Sequence, residues 1–234
     1  AKLHTNVYNY YHNNVKKNGN FEDANLGKYV YANTFDDTIK ELALDIKQIG
    51  KEKGFTDDQV LELATCFIQN IPYDENRATI ALTEGNDPNK EQFPYETLYK
   101  NSGICTDKTY LGSILLKELG YGTGIYIFPE DQHVALAMKV PSGYTDFNSK
   151  YTMIELTYPG WAPGQLPEGI DDNNGKPSAV INNISKLSSN IDPKNIDLDS
   201  AKPIEAPTLI IDINDGKPYS RIVGVKNLEN KIIS

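Results

Sequence analysis

The stretch KNSGICTDKTYLGSILLKELGYG, residues 100–122, passes from a glycine-containing turn into a helical pattern that ends at Gly120. Its apolar residues recur at helical spacing: Leu111, Ile114, Leu115 and Leu119. Cys105 falls in the first turn, where unpaired backbone N–H groups and the helix dipole favour negative charge. A thiol placed there loses its proton more easily and becomes a better nucleophile. The alternative is that Cys105 is a small apolar residue packed beneath a turn.

Two further amphipathic helices are predicted upstream, in DDTIKELALDIKQIG (36–50) and FTDDQVLELATCFIQNIPY (55–73). The second begins with a capping-box pattern, Thr56 followed three residues later by Gln59. Cys66 lies beside its apolar face, so we expect Cys66 to be packed and poorly accessible. The predicted apolar faces are Ile39, Leu42, Ala43, Ile46 and Ile49 in the first helix, and Val60, Leu63, Ala64, Phe67 and Ile71 in the second.

After Gly120 the apolar period changes from helical to extended. Three strands separated by turn or loop residues are predicted: 124–128, 133–140 and 151–158. The rest of the sequence holds one more strand pattern, APTLIIDI at 206–213, and a weaker one, YSRIVGV at 219–225.

The order of these elements, helices first and strands afterwards, predicts an α+β fold. Short links between the strands favour antiparallel neighbours, so we expect N-terminal helices packed on an antiparallel β-sheet. Because no internal repeat or clear boundary occurs, we predict a single domain over residues 1–234. Within it, residues 1–34 are expected to be an N-terminal arm or short helix, and residues 175–234 a C-terminal extension with one or two further strands.

The charge balance argues against a general attraction to nucleic acids or anionic lipids, because 23 basic and 32 acidic residues give a net charge of -9. No run approaches the roughly 20 apolar residues of a membrane span, so none is expected in this chain. Two cysteines are too few for a disulfide framework. The location is left open; we favour an extracytoplasmic or cell-surface site, which assumes a signal or anchor outside the quoted sequence.

A thiol nucleophile needs a base to take its proton and a third group to orient that base. Of the three histidines, His4 and His12 lie in the N-terminal arm, where solvated surface is expected. His133 begins a predicted strand just after a turn, from which its side chain can face a cleft. Glu155 is a carboxylate within a mostly apolar strand, a place that disfavours glutamate, so we expect it to have a partner. A strand-end polar histidine and a surface-facing glutamate are the structural alternatives.

This order of helix-Cys, strand-His and strand-acid resembles the transglutaminase-like superfamily of papain-like cysteine hydrolases. The similarity extends from about residue 36 to residue 167. It is carried by FIQNIPYD (67–74), FPYETLYKNSGICTDKTYLGSILLKELGYG (93–122), DQHVALAMKV (131–140) and MIELTYPGW (153–161). The chain departs from the family pattern in having Gly103-Ile104 before the cysteine, where many relatives have Gly-Asp. It also has Glu155 in place of the more usual Asp.

The resemblance implies a papain-like fold and a catalytic triad of Cys105, His133 and Glu155. In such an enzyme Cys105 attacks an amide carbonyl and His133 is its ion-pair partner and later the general acid. Glu155 would hold the tautomer of the imidazole. The oxyanion would be met by the backbone N–H of Cys105 and an upstream donor, for which Gln69 and Tyr73 are candidates.

The expected function is therefore a cysteine hydrolase that cleaves an amide, peptide or isopeptide bond through a thioacyl-enzyme. A non-enzymatic peptide- or glycan-binding module on the same fold and an amine-accepting transglutaminase stay open as alternatives. The substrate would be a peptide or protein, with cell-wall and surface components as candidates. No cofactor is expected; Asp171 and Asn173 in DDNNG (171–175) offer oxygens suited to calcium, but a plain turn is the favoured explanation. Asp107 is expected to be a first-turn residue favoured by the helix dipole.

Overall fold

The computed structural model describes residues 1–14, 29–30, 37–84, 91–128, 131–141, 149–165, 209–214, 216–217, 225–226 and 232–233. Contacts divide the chain into two units. The helical unit comprises Ala1–Gly120 and Leu156–Pro159, and the sheet unit comprises Tyr121–Glu155 and Gly160–Ser234. No helix in the described part of the chain has both the length and the apolar character that a bilayer crossing requires. The folding of the two units as one domain stays a prediction.

The described residues of the helical unit form six helices: α1 (Thr5–Asn14), α2 (Thr38–Lys53), α3 (Asp57–Gln69), α4 (Glu75–Glu84), α5 (Pro94–Lys100) and α6 (Cys105–Glu118). The last helix, α6, packs against α2, α3 and α5. All four of its predicted apolar core positions are buried. Its polar positions from Thr106 to Thr109 are buried too, because neighbouring elements surround this helix instead of covering a single stripe.

The N-terminal arm contains a docked helix. α1 contacts α5, with the rings of Tyr8 and Tyr99 stacked at a centroid distance of 4.5 Å. His12 was expected to be solvated, but its Nδ1 lies 2.9 Å from Oε1 of the buried Glu96. The side chain of His12 remains 46% exposed, so this hydrogen bond lies near the protein surface.

The capping box of α3 is confirmed, since Thr56 N donates to Gln59 Oε1 at 2.9 Å and Gln59 N donates to Thr56 Oγ1 at 3.3 Å. The predicted buried face of this helix is wrong in part, because Cys66 and Phe67 are exposed. The buried residues are Val60, Leu61, Ala64, Thr65, Ile68 and Gln69. The reason is that α3 contacts both α2 and α6. These two helices together bury a face of α3 that differs from the one predicted from apolar spacing alone. Ile49 of α2, also predicted to be in the core, is 46% exposed.

The sheet unit is built on four antiparallel strands: β1 (Thr123–Phe128), β2 (His133–Lys139), β3 (Tyr151–Ile154) and β4 (Leu209–Asn214). Their order is β3-β2-β1-β4. β4 confirms the strand predicted at 206–213 and pairs with β1. Two short strands, β5 (Val225–Lys226) and β6 (Ile232–Ile233), pair separately, and most of the weaker pattern at 219–225 lies outside the described residues. Helices followed by an antiparallel sheet confirm the α+β class.

Candidate active site

Cys105 is the first residue of α6, as predicted, and its side chain is half-buried. The preceding residue, Ile104, is extended, with φ -88 and ψ 178, so the chain turns into the helix at the cysteine itself. The Oγ1 atom of Thr106 lies 3.9 Å from the Cys105 sulfur. Cys105 thus lies at the N-terminus of a helix of 14 residues, where the helix dipole favours the thiolate over the thiol.

The segment that precedes α4 lies directly beside this helix start. Gly103 N donates to Pro72 O and Asp74 N donates to Gly103 O, both at 3.2 Å, which makes a short parallel bridge between Tyr73 and Gly103. A Cβ atom at Gly103 would lie 3.0 Å from Asp107 Cβ and 3.1 Å from Thr97 Cγ2, so a larger residue would require these neighbours to shift.

Tyr73 contacts the backbone of Cys105: its hydroxyl oxygen accepts a hydrogen bond from the Cys105 N–H. Burial raises the pKa of the Tyr73 hydroxyl, and the negative charge of a Cys105 thiolate raises it further, whereas the hydrogen bond from the Cys105 N–H opposes the shift. Tyr73 therefore keeps its proton at neutral pH and can donate it to an acceptor. Gln69, the other oxyanion candidate, is 2% exposed at the end of α3.

Asp107, two residues after Cys105, is fully buried and accepts four hydrogen bonds. The donors are Arg77 Nη1 at 2.6 Å, Gln92 N at 2.7 Å, Gln92 Nε2 at 3.0 Å and Ile104 N at 3.0 Å. The last of these caps the helix at the residue before the cysteine. Asp107 is thus a first-turn residue, as expected, but it also joins three separate segments around the start of α6.

Lys108 is a second buried charge in the same turn, and sequence reasoning missed it. Its Nζ donates to the carbonyl oxygens of Gln69 at 3.2 Å, Ile71 at 2.8 Å and Thr157 at 2.8 Å, which matches the three hydrogens of an ammonium group. One side chain therefore holds the end of α3 and the segment 156–159 against α6. Sequence spacing does not distinguish Lys108 from Lys117 of the same helix, whose side chain is 31% exposed.

His133 and Glu155 meet in the sheet unit. The strand predicted at 151–158 ends at Ile154, so Glu155 directly follows β3 instead of lying within it. Continuation of the β2–β3 register, with Leu136 opposite Ile154, makes Glu155 a diagonal neighbour of His133 on the same face. His133 Nε2 lies 2.9 Å from Glu155 Oε2, with side-chain exposures of 18% and 5%. The imidazole also stacks on Phe128 at a centroid distance of 6.2 Å. Glu155 is therefore not a surface-facing glutamate.

The predicted site residues thus form two groups, Cys105 with Tyr73 in the helical unit and His133 with Glu155 in the sheet unit. The approach of Cys105 to His133 stays a prediction. Asp171 and Asn173, the calcium candidates, lie outside the described residues. Within the described ranges, no cluster of three or more His, Cys, Asp or Glu side chains is arranged to hold a metal ion.

Comparison with known proteins agrees with the resemblance noted from the sequence. The profile of a family described as a transglutaminase-like domain matches residues 37–158, more than half of the chain. The matched range includes Cys105, His133 and Glu155. No curated protein matched the chain.

Proposed function

Because this chain belongs to the transglutaminase-like domain family, we propose that it is a cysteine hydrolase that cleaves an amide, peptide or isopeptide bond. The observation that carries the proposal is the 2.9 Å contact between His133 Nε2 and the buried carboxylate of Glu155. A buried carboxylate at one ring nitrogen holds the imidazole in one tautomer and stabilises its charged form. With Nε2 held by Glu155, Nδ1 is the nitrogen that would exchange a proton with the thiol.

The proposed reaction begins with transfer of the Cys105 thiol proton to His133 Nδ1. The thiolate then attacks the substrate carbonyl carbon, and the carbonyl π electrons move to its oxygen. The Cys105 N–H would donate to this oxyanion, and the Tyr73 hydroxyl, which accepts from that N–H in the unliganded protein, would turn to donate as well. This mechanism requires the Cys105 sulfur to lie within about 4 Å of His133 Nδ1.

The tetrahedral intermediate collapses as the imidazolium of His133 gives its proton to the departing amine, which leaves a thioacyl-enzyme. Water, deprotonated by His133, then attacks the thioester carbonyl. Collapse of the second intermediate releases the carboxylic acid and restores the thiol. The substrate in this proposal is a peptide or protein, and cell-wall and surface components are the candidates.

Water, not an amine, is the expected acceptor of the acyl group. Transfer to an amine requires some exclusion of water from the acyl-enzyme, and the sequence offers one tryptophan, Trp161, for the walls of such a route. We expect that incubation with peptide and wall-derived amides in ¹⁸O-water yields acids with one heavy oxygen atom, even when a labelled primary amine is added. Mass spectrometry of the products separates the outcomes, since a majority of amine-labelled product would identify an acyltransferase.

A further inference from the structure

The proposed reaction uses the hydroxyl of Tyr73, but not the aromatic surface that the rings of Tyr73 and Tyr158 form together. The ring of Tyr158 is 48% exposed and contacts the ring of Tyr73 at a centroid distance of 5.4 Å and an interplanar angle of 45°. The Tyr73 hydroxyl in turn contacts the backbone N–H of Cys105. The segment that carries Tyr158 is anchored one residue earlier, where Thr157 O accepts a hydrogen bond from Lys108. The exposed ring of Tyr158 therefore adjoins Tyr73, which itself contacts Cys105.

A carboxylate completes this surface. The hydroxyl of Tyr158 donates to Oε1 of Glu75 at 2.7 Å, and Glu75 is an exposed residue at the start of α4. The negative charge of Glu75 is also one of the causes that raise the pKa of Tyr73, which places this charge near both rings. A carboxylate has about four acceptor positions, so one hydrogen bond from Tyr158 leaves capacity for a ligand.

Two cations of the helical unit, Arg77 and Lys108, lie near this surface in the part of the chain that the structure describes, and both have other partners. Arg77 Nη1 binds Asp107 at 2.6 Å, and the Lys108 ammonium donates to three carbonyl oxygens. Among the described residues, the exposed groups at this surface are therefore the ring of Tyr158 and the carboxylate of Glu75, which are aromatic and negative. An ammonium or guanidinium group is attracted by both features, through the ring faces and through charge-assisted hydrogen bonds.

We infer that Tyr73, Tyr158 and Glu75 form a subsite for a positively charged group of the substrate. This inference rests on the proposed function, because it takes Cys105 as the reacting group. It adds the substrate class: amides with a lysine, an arginine or a free amino group near the scissile carbonyl are favoured over their neutral or acidic analogues. The net charge of -9 acts in the same direction at long range.

The first test requires no substrate. In a Cys66→Ser background, Cys105 is modified with three methanethiosulfonates: a neutral methyl reagent, a trimethylammonium reagent and a sulfonate reagent. Dividing the modification rate of the trimethylammonium reagent by that of the sulfonate reagent removes the contribution of the intrinsic reactivity of the thiol. We expect Glu75→Gln, which keeps a hydrogen-bond acceptor, to lower this ratio about threefold at low salt and less at high salt. Tyr158→Leu should lower it as well.

The matched control is Glu52→Gln, an exposed glutamate on α2 that also accepts one side-chain hydrogen bond, from Gln48 at 2.9 Å. This variant removes the same charge elsewhere and should leave the ratio unchanged. If both variants lower the ratio equally, or if Glu75→Gln does not lower it, the subsite is overturned. Normal reaction of Cys105 with the neutral reagent would, in that case, leave the proposed function standing. Absence of reaction with the neutral reagent contradicts both proposals.

A second test uses amides cleaved by the intact protein. Two peptides differ only in a lysine or an acetyl-lysine next to the scissile bond. We expect the lysine peptide to have at least a fivefold higher kcat/KM, and Glu75→Gln to remove most of this preference. A preference that appears only for a free amine added as acceptor would assign the surface to the attacking group and would overturn the inference.

Discussion

We expect replacement of Cys105 by alanine to lower kcat/KM for amide hydrolysis by at least about 10⁴-fold. The sulfur is the atom that bonds to the substrate in the proposed mechanism, and no other group at the start of α6 can form a thioacyl intermediate. The helix N-terminus and the backbone N–H groups remain in the variant, so residual turnover reports binding and oxyanion stabilisation alone.

The control for this experiment is Cys66→Ser. Cys66 is exposed on α3 and has no place in the mechanism, so its replacement should leave kcat/KM within about twofold of the intact protein. Substrate binding without turnover in the intact protein, unchanged by Cys105→Ala, would instead favour the peptide- or glycan-binding module.

The second large effect is expected on stability. Asp107→Ala leaves the partly buried guanidinium of Arg77 and three N–H donors without their acceptor, which should cost about 3–5 kcal/mol in the free energy of unfolding. Asp107→Asn keeps one acceptor oxygen but lacks the charge, so its loss should be intermediate. Urea denaturation of both variants measures these differences.

A surface ion pair supplies the comparison. Asp37 and Lys40 lie 4.0 Å apart and are 79% and 63% exposed, and the Asp37 side chain makes no capping hydrogen bond to α2. Asp37→Ala should therefore cost less than about 1 kcal/mol. An Asp107→Ala loss as small as that of Asp37→Ala would contradict the role of Asp107 as the group that joins the segments around Cys105.

The sequence predicted those features that depend on local spacing. Apolar residues four apart identified α6, the Thr56–Gln59 pair identified the start of α3, and period-2 segments identified the strands that bring His133 and Glu155 together. Cys66 was placed incorrectly, because the buried face of α3 depends on two neighbouring helices that spacing within α3 does not encode.

The polar network around Cys105 could not be predicted for a related reason. Asp107 binds Arg77 and Gln92, which are 30 and 15 residues away, and Lys108 binds a carbonyl 49 residues away. Tertiary packing determines which partners these residues meet. Once the charged groups are buried they require those partners, because an unpaired buried charge is costly. A buried lysine that donates to three carbonyls has no local sequence pattern.

The central claim is that Cys105 reacts as a thiolate paired with His133, and alkylation of the native protein across pH tests it most directly. The measurement uses a Cys66→Ser background, because the exposed Cys66 would otherwise also react. The account predicts rapid labelling of Cys105 by iodoacetamide near pH 6, well below the pKa of about 8.5 of a free thiol. His133→Ala should slow this labelling most at the acidic end. A labelling rate that rises only around pH 8.5 and does not change in His133→Ala would contradict the claim.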